Sequence, residues 1–129
     1  MRIATVTAPT PPVSELPALV AQAKSLVQDA RAKVQLLDPA PLAQAREALV
    51  ALPPVLECAI ALSAENPGVY WALQGTRLLA RAAHAKVDAL LTLPNLTPAQ
   101  RLVRHRDVQA QLDLVLERIT NAGDLVLKP

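Results

Sequence analysis

The sequence predicts an all-α protein, an antiparallel up-down four-helix bundle, and three observations lead to this fold class. The apolar share of 52% comes mainly from Ala, Leu and Val, with one Trp, one Tyr and no Phe, a composition that suits closely packed helices. Glycine occurs only three times, too rarely for a chain with many hairpin turns. Apolar residues also recur at alternating spacings of three and four, the period of a helix face. At 129 residues, the chain has the length of one domain.

The prolines predict where the helices begin. Four prolines follow shortly after a side chain that can cap a helix: Pro17 after Ser14, Pro39 after Asp38, Pro67 after Asn66 and Pro98 after Thr97. Proline is tolerated in a first helical turn, because its missing N–H has no partner there in any case. Thr97 and Gln100 also have the spacing of a capping box. We expect helices over about 15–37, 39–65, 67–92 and 98–122, the last of them ended by Gly123 in a left-handed conformation.

Each predicted helix carries one row of apolar residues that would face a common core. The rows are Leu16, Val20, Ala23, Val27, Ala30, Val34 and Leu37; Leu42, Ala45, Leu49, Leu52, Leu56 and Ala59; Val69, Leu73, Ala80, Ala83, Val87 and Leu90; and Val108, Leu112, Val115, Ile119 and Ala122. Short connections between helices of this length make neighbouring helices antiparallel. The second row passes through Pro53 and Pro54, which remove two helical hydrogen bonds. The second helix is therefore expected to be kinked or split there, and the unbroken phase of its row favours a kink.

The bundle is expected to occupy residues 14–123, between a flexible N-terminal tail over 1–13 and a C-terminal tail over 124–129. Short apolar runs at 3–6 and 125–127 could pair with each other or across a dimer, and disordered tails are the alternative. The single Cys58 is predicted to be a small buried residue, and it excludes an intramolecular disulfide. With no apolar run long enough for a signal peptide or a membrane span, we predict a cytoplasmic protein without a membrane partner.

One region of the sequence is strongly basic. Residues 67–106 hold six Lys and Arg residues but only one acid, Asp88. In an antiparallel hairpin turning near Asn95, two groups of basic side chains should lie at a similar height and could hold phosphate or another polyanion. The candidate anion-binding residues are Arg77, Arg81, His84, Arg101, Arg104, His105 and Arg106. The alternative is a solvated charged face, and His105 is in phase with Val108, which would make it a core histidine instead.

A second group of candidates lies near the start of the third helix. Tyr70 and Trp71 are the only aromatic residues, and such rings often anchor protein interfaces. Gly75 lies one turn further along and suggests a close helix approach, within the bundle or across a dimer. Tyr70, Trp71 and Gly75 are therefore candidate interface residues, with core packing as the alternative.

The sequence favours binding over catalysis. It has two histidines and one cysteine, too few for a bundle-core metal site, and no recognisable nucleophile with its base. We therefore predict a non-enzymatic interaction or assembly module that self-associates, without metal, cofactor or evident small-molecule substrate. Its partner would be another protein or a second copy. The alternative is a nucleic-acid or phosphate-binding module that contacts DNA or RNA through the basic hairpin.

Overall fold

A computed structural model describes residues 12–34, 39–93 and 95–127 of the chain. These residues form four helices, α1 (Pro12–Val34), α2 (Pro39–Leu62), α3 (Pro67–Thr92) and α4 (Pro98–Leu127), and no strand occurs among them. The predicted all-α four-helix bundle is confirmed.

The helices form a ring in which each packs against two others. Helix α1 contacts α2 and α4, and α3 contacts the same two helices from the other side. The cross-helix contacts show that α1 and α4 are antiparallel: His105, near the start of α4, bonds Val34 at the end of α1, whereas Gly123 lies beside Val20. The same holds for α3 and α4, since Gln111 bonds Leu79 and the earlier Asp107 bonds the later Lys86.

The predicted core is confirmed. Every member of the four apolar rows within the described residues is buried, while Leu37 lies outside them. Ala48 and Ile60 complete the core from α2, on the flank of its row. Fully burying a side chain of Leu or Val size contributes about 1.5–3 kcal/mol, so these rows provide the main stabilisation of the bundle.

Helix α2 runs through both of its prolines as a single helix, so it is not split. Leu52 and Leu56, on either side of the prolines, are both completely buried. The apolar row therefore keeps its phase across Pro53 and Pro54. Since neither proline has an N–H, the carbonyls of the residues four positions earlier lack their usual helical donors.

Two of the predicted helix starts are confirmed. The Asn66 side chain accepts a hydrogen bond from the N–H of Val69 at 3.4 Å, directly before α3. At the start of α4, the Gln100 N–H donates to Thr97 Oγ1 at 3.1 Å and the Thr97 N–H donates to Gln100 Oε1 at 3.0 Å. These two bonds form the predicted capping box.

The predicted start of the first helix is wrong, and the proposed Asp38 cap lies outside the described residues. Helix α1 begins at Pro12, one turn earlier than expected, so Ser14 does not cap it. Pro12 can itself occupy a first helical position, because its fixed φ suits a helix start. Pro17 consequently lies inside the helix.

Two predicted helix ends also differ from the structure, while the predicted end of the first helix lies outside the described residues. Helix α2 ends at Leu62, followed by a turn in which the N–H of Ser63 donates to the carbonyl of Ile60 at 3.1 Å. Proline restricts the residue before it to extended geometry, so Asn66 cannot continue α2 into α3. Helix α4 passes through Gly123, which does not have a positive φ, and continues to Leu127. The predicted glycine cap is therefore wrong.

Of the predicted tails, residues 1–11 and 128–129 lie outside the described residues, and 124–127 belong to α4. Val126 packs partly against the core, which gives this last turn a reason to stay helical. Cys58 is exposed, so the prediction that it is buried is wrong. It lies beside the buried Ala59 but points away from the core. None of the four described helices is long and apolar enough to cross a membrane.

Candidate binding surfaces

The basic residues of α3 face α2. Arg77, Arg81 and His84 are spaced four and three positions apart and therefore lie along one side of the helix. They line a groove with a volume of about 300 Å³. The remaining lining residues of this α2–α3 groove are Leu49, Val50, Pro53, Leu56 and Ala80.

Arg77 and His84 are half-buried, whereas Arg81 is exposed. The Arg77 Nε atom is buried and has no hydrogen-bond partner among the described residues. Glu57 lies at the outer edge of the groove, where it lines an adjoining pocket with Pro53, Arg77 and Arg81. Within the described part of the chain, Glu57 forms no ion pair with either arginine. The guanidinium groups are therefore near an acid without being neutralised by direct contact.

The basic residues of α4 form a separate group. Arg101 is half-buried, whereas Arg104 and Arg106 are exposed, and none of the three lines the α2–α3 groove. Arg104 lines a shallow depression formed with other residues of its own helix. Of the seven predicted anion-binding residues, only Arg77, Arg81 and His84 line the α2–α3 groove.

His105 does not lie on the surface with these arginines. It is only 5% exposed, and its Nε2 is hydrogen bonded to the backbone carbonyl of Val34 in α1. Because a carbonyl oxygen can only accept, Nε2 carries the proton in this bond. Of the two interpretations of His105, the structure matches the core histidine, and His84 faces a different neighbouring helix.

Part of the predicted positive charge is compensated locally. Lys86 Nζ lies 3.1 Å from Asp107 Oδ1 and 3.2 Å from Gln111 Oε1, across the α3–α4 contact. Asp88, the one acid of the basic region, is itself paired with Arg46 of α2 at 3.2 Å and so does not neutralise the arginines of α3 and α4. The five arginines at positions 77, 81, 101, 104 and 106 form no ion pair with any described residue.

The three candidate interface residues are placed differently from one another. Tyr70 is half-buried against the core, and its hydroxyl accepts a hydrogen bond from Gln74 Nε2 at 3.1 Å. Trp71 is 68% exposed and packs edge-on against Tyr70, with the ring centroids 5.1 Å apart. At Gly75, a Cβ would first meet the end of the Arg118 side chain, at 3.4 Å. Gly75 therefore mediates no close backbone approach within the bundle.

The predictions from the sequence did not include a second apolar row, which lies on the outward side of α3. It begins at Trp71 and includes Leu78, which is 63% exposed. Its members are spaced alternately by four and three, the same spacing that identified the core rows. The spacing could have identified this outward row in the sequence, but the core row of α3 has the same spacing. This outer row of α3 consists of Trp71, Gly75, Leu78, Ala82, Ala85 and Ala89.

No group of three or more His, Cys, Asp or Glu side chains that could hold a metal ion occurs in the described ranges. Comparisons of the chain with protein-family models, curated proteins and solved structures find no match.

Proposed function

We propose that this protein is a self-associating interaction module in which the outer row of α3 pairs with the same row of a second copy. The observation that carries the proposal is the exposure of Trp71 and Leu78 on one helix face whose own residues are uncharged. A single exposed apolar residue needs no explanation, but a continuous row resembles an interface.

The composition of this face is unusual for a bundle helix. The side opposite the core normally carries charged and polar residues. None of the six outer-row residues is charged. Trp71 is also held in place by its edge-on packing against Tyr70, so its ordering on binding costs little entropy.

The distribution of side-chain sizes favours a second copy in antiparallel orientation. The two bulky residues, Trp71 and Leu78, lie in the N-terminal half of the row, and the C-terminal half holds only alanines. A two-fold axis near the middle of α3 would place Trp71 of one copy opposite Ala89 of the other, and Leu78 opposite Ala82. Each bulky side chain would then fill the space over a small one, as knobs fill holes. A parallel pair would instead stack bulky residues on bulky residues and leave the alanines apart.

Sedimentation velocity over a wide range of protein concentrations tests this proposal. We expect the wild type to shift from monomer to dimer, and Leu78→Glu to remain monomeric because the dimer would bury its charge. The matched control is Val103→Glu, since Val103 of α4 is 67% exposed and lies outside the outer row. A wild type that stays monomeric, or equal effects of the two substitutions, would refute the proposal.

Cysteine cross-linking tests the orientation in a Cys58→Ser background. Antiparallel pairing places residue 75 of one copy opposite residue 85 of the other, within the short Cα separation that a disulfide requires. A mixture of Gly75→Cys and Ala85→Cys chains should therefore form the mixed dimer. Cross-linking of Ala85→Cys chains with each other instead would indicate parallel pairing.

Nucleic-acid or phosphate binding is the second candidate function. It is favoured by the five arginines without an ion-pair partner among the described residues. Its support is weaker, because Arg77 and Arg81 line a groove that contains no aromatic residue for base stacking, and Arg101, Arg104 and Arg106 do not line that groove.

A further inference from the structure

We infer that the α2–α3 groove binds a small amphipathic carboxylate, with the carboxylate against Arg77 and Arg81 and the aliphatic chain along α2. The site is independent of self-association, because its residues belong to a single chain and none is part of the outer row of α3.

One wall and the floor of the groove are apolar. Leu49 and Leu56 are buried and close the floor, while Val50 remains 58% exposed although it lines the groove. On the opposite side, Ala80 is small and leaves room between the helices. The volume of about 300 Å³ is at the lower end of the range for small-molecule sites, so the groove suits a short aliphatic chain.

The other wall carries two arginines and a histidine. Arg77, Arg81 and His84 extend over about 10 Å of α3, at 1.5 Å per residue. Neither Arg77 nor Arg81 forms an ion pair with any described residue. A carboxylate in the groove would bind the terminal Nη groups of these arginines and match the forked geometry of a guanidinium group.

The apolar floor favours this ligand over a nucleic acid. A phosphodiester backbone needs an open polar track, and single strands usually stack their bases on aromatic rings. The two aromatic residues, Tyr70 and Trp71, do not line the groove. Glu57, at its edge, would also repel a multiply charged phosphate more strongly than a single carboxylate.

Glu57 provides a variant with the opposite effect. Its carboxylate lies beside Arg77 and Arg81 and competes with a bound anion for their positive charge. Replacing it by the uncharged Glu57→Gln should strengthen binding. Val50→Asp introduces a negative charge at an exposed position of the groove and should weaken binding without disturbing the core.

Isothermal titration calorimetry on the full chain tests the site, with octanoate as the probe and octan-1-ol and inorganic phosphate as comparison ligands. We expect saturable binding of one octanoate per chain and much weaker binding of the other two. Arg77→Gln should weaken octanoate binding by roughly tenfold or more, since a hydrogen bond between charged groups contributes that much. The matched control is Arg106→Gln, on the exposed surface of α4, which should leave octanoate binding unchanged.

Three results would overturn the inference. The first is the absence of saturable octanoate binding to the wild type. The second is phosphate binding as tight as that of octanoate, which would indicate a general anion site. The third is octanol binding as tight as that of octanoate together with no effect of Arg77→Gln and Val50→Asp, which would indicate an apolar patch alone.

Discussion

His105 of α4 is hydrogen bonded through its Nε2 to the backbone carbonyl of Val34, the last described residue of α1. Both residues are buried, so water cannot easily replace this bond. The ring of His105 therefore joins the last described turn of α1 to the start of α4.

Removing this donor should destabilise the protein. His105→Leu removes the His105 donor from the buried Val34 carbonyl, and we expect the free energy of unfolding in urea to fall by about 1–3 kcal/mol. The control is His84→Leu, because the half-buried His84 ring makes no hydrogen bond to any described residue. Equal stability of His105→Leu and the wild type would mean that the bond contributes nothing net.

The capping box at the start of α4 should contribute measurably to stability. Thr97→Ala removes the acceptor for the Gln100 N–H, and losing an N-cap side chain costs about 1 kcal/mol. Thr92→Ala is the matched control, since the Thr92 hydroxyl bonds the Asp88 carbonyl inside α3 and caps no helix. Thermal unfolding should show a lower Tm for Thr97→Ala only. A similar loss in both variants would point to threonine packing instead of capping.

Gly123→Ala distinguishes a glycine inside a helix from a glycine cap. Inside α4, alanine should raise the free energy of unfolding by about 0.5–1 kcal/mol, because glycine loses more backbone entropy on folding. The added Cβ would lie 3.5 Å from Val20 Cγ1, an ordinary contact. In a left-handed cap the same substitution would be destabilising. Chemical denaturation measures whether the free energy of unfolding increases, as expected inside a helix, or decreases, as expected for a cap. Gly75→Ala, inside α3, is the matched comparison.

Local sequence signals predicted the parts of the fold that depend on neighbouring residues. The Thr97 capping box and the Asn66 cap require only residues within one turn, and the core rows require only the helical period. The ends of the helices depend on packing between helices. Gly123, for example, continues α4 because the last turn still packs on the core at Val126.

The placement of the predicted anion-binding residues also depends on packing between helices. Positions in a hairpin indicate how far along each helix a residue lies, but not which neighbouring helix it faces. His84 turns towards α2 and His105 towards α1, so two residues expected together line different contacts. The outer row of α3 was overlooked because it has the same alternating spacing of four and three as the core row on the opposite side of the helix. Only the packed bundle shows which face is covered.

The double substitution Arg101→Ala/Arg104→Ala tests nucleic-acid binding against self-association. Fluorescence anisotropy with a labelled DNA duplex and its single strand is measured at about 50 and about 200 mM salt, because phosphate contacts weaken steeply over that range. We expect no saturable micromolar binding to the wild type at the lower salt concentration, since its arginines are divided between two surfaces. The double variant should sediment like the wild type at every concentration, because neither residue belongs to the outer row of α3. If the wild type binds DNA at low salt, loses it at high salt and binds less well with both arginines removed, nucleic-acid binding would replace self-association as the proposed function.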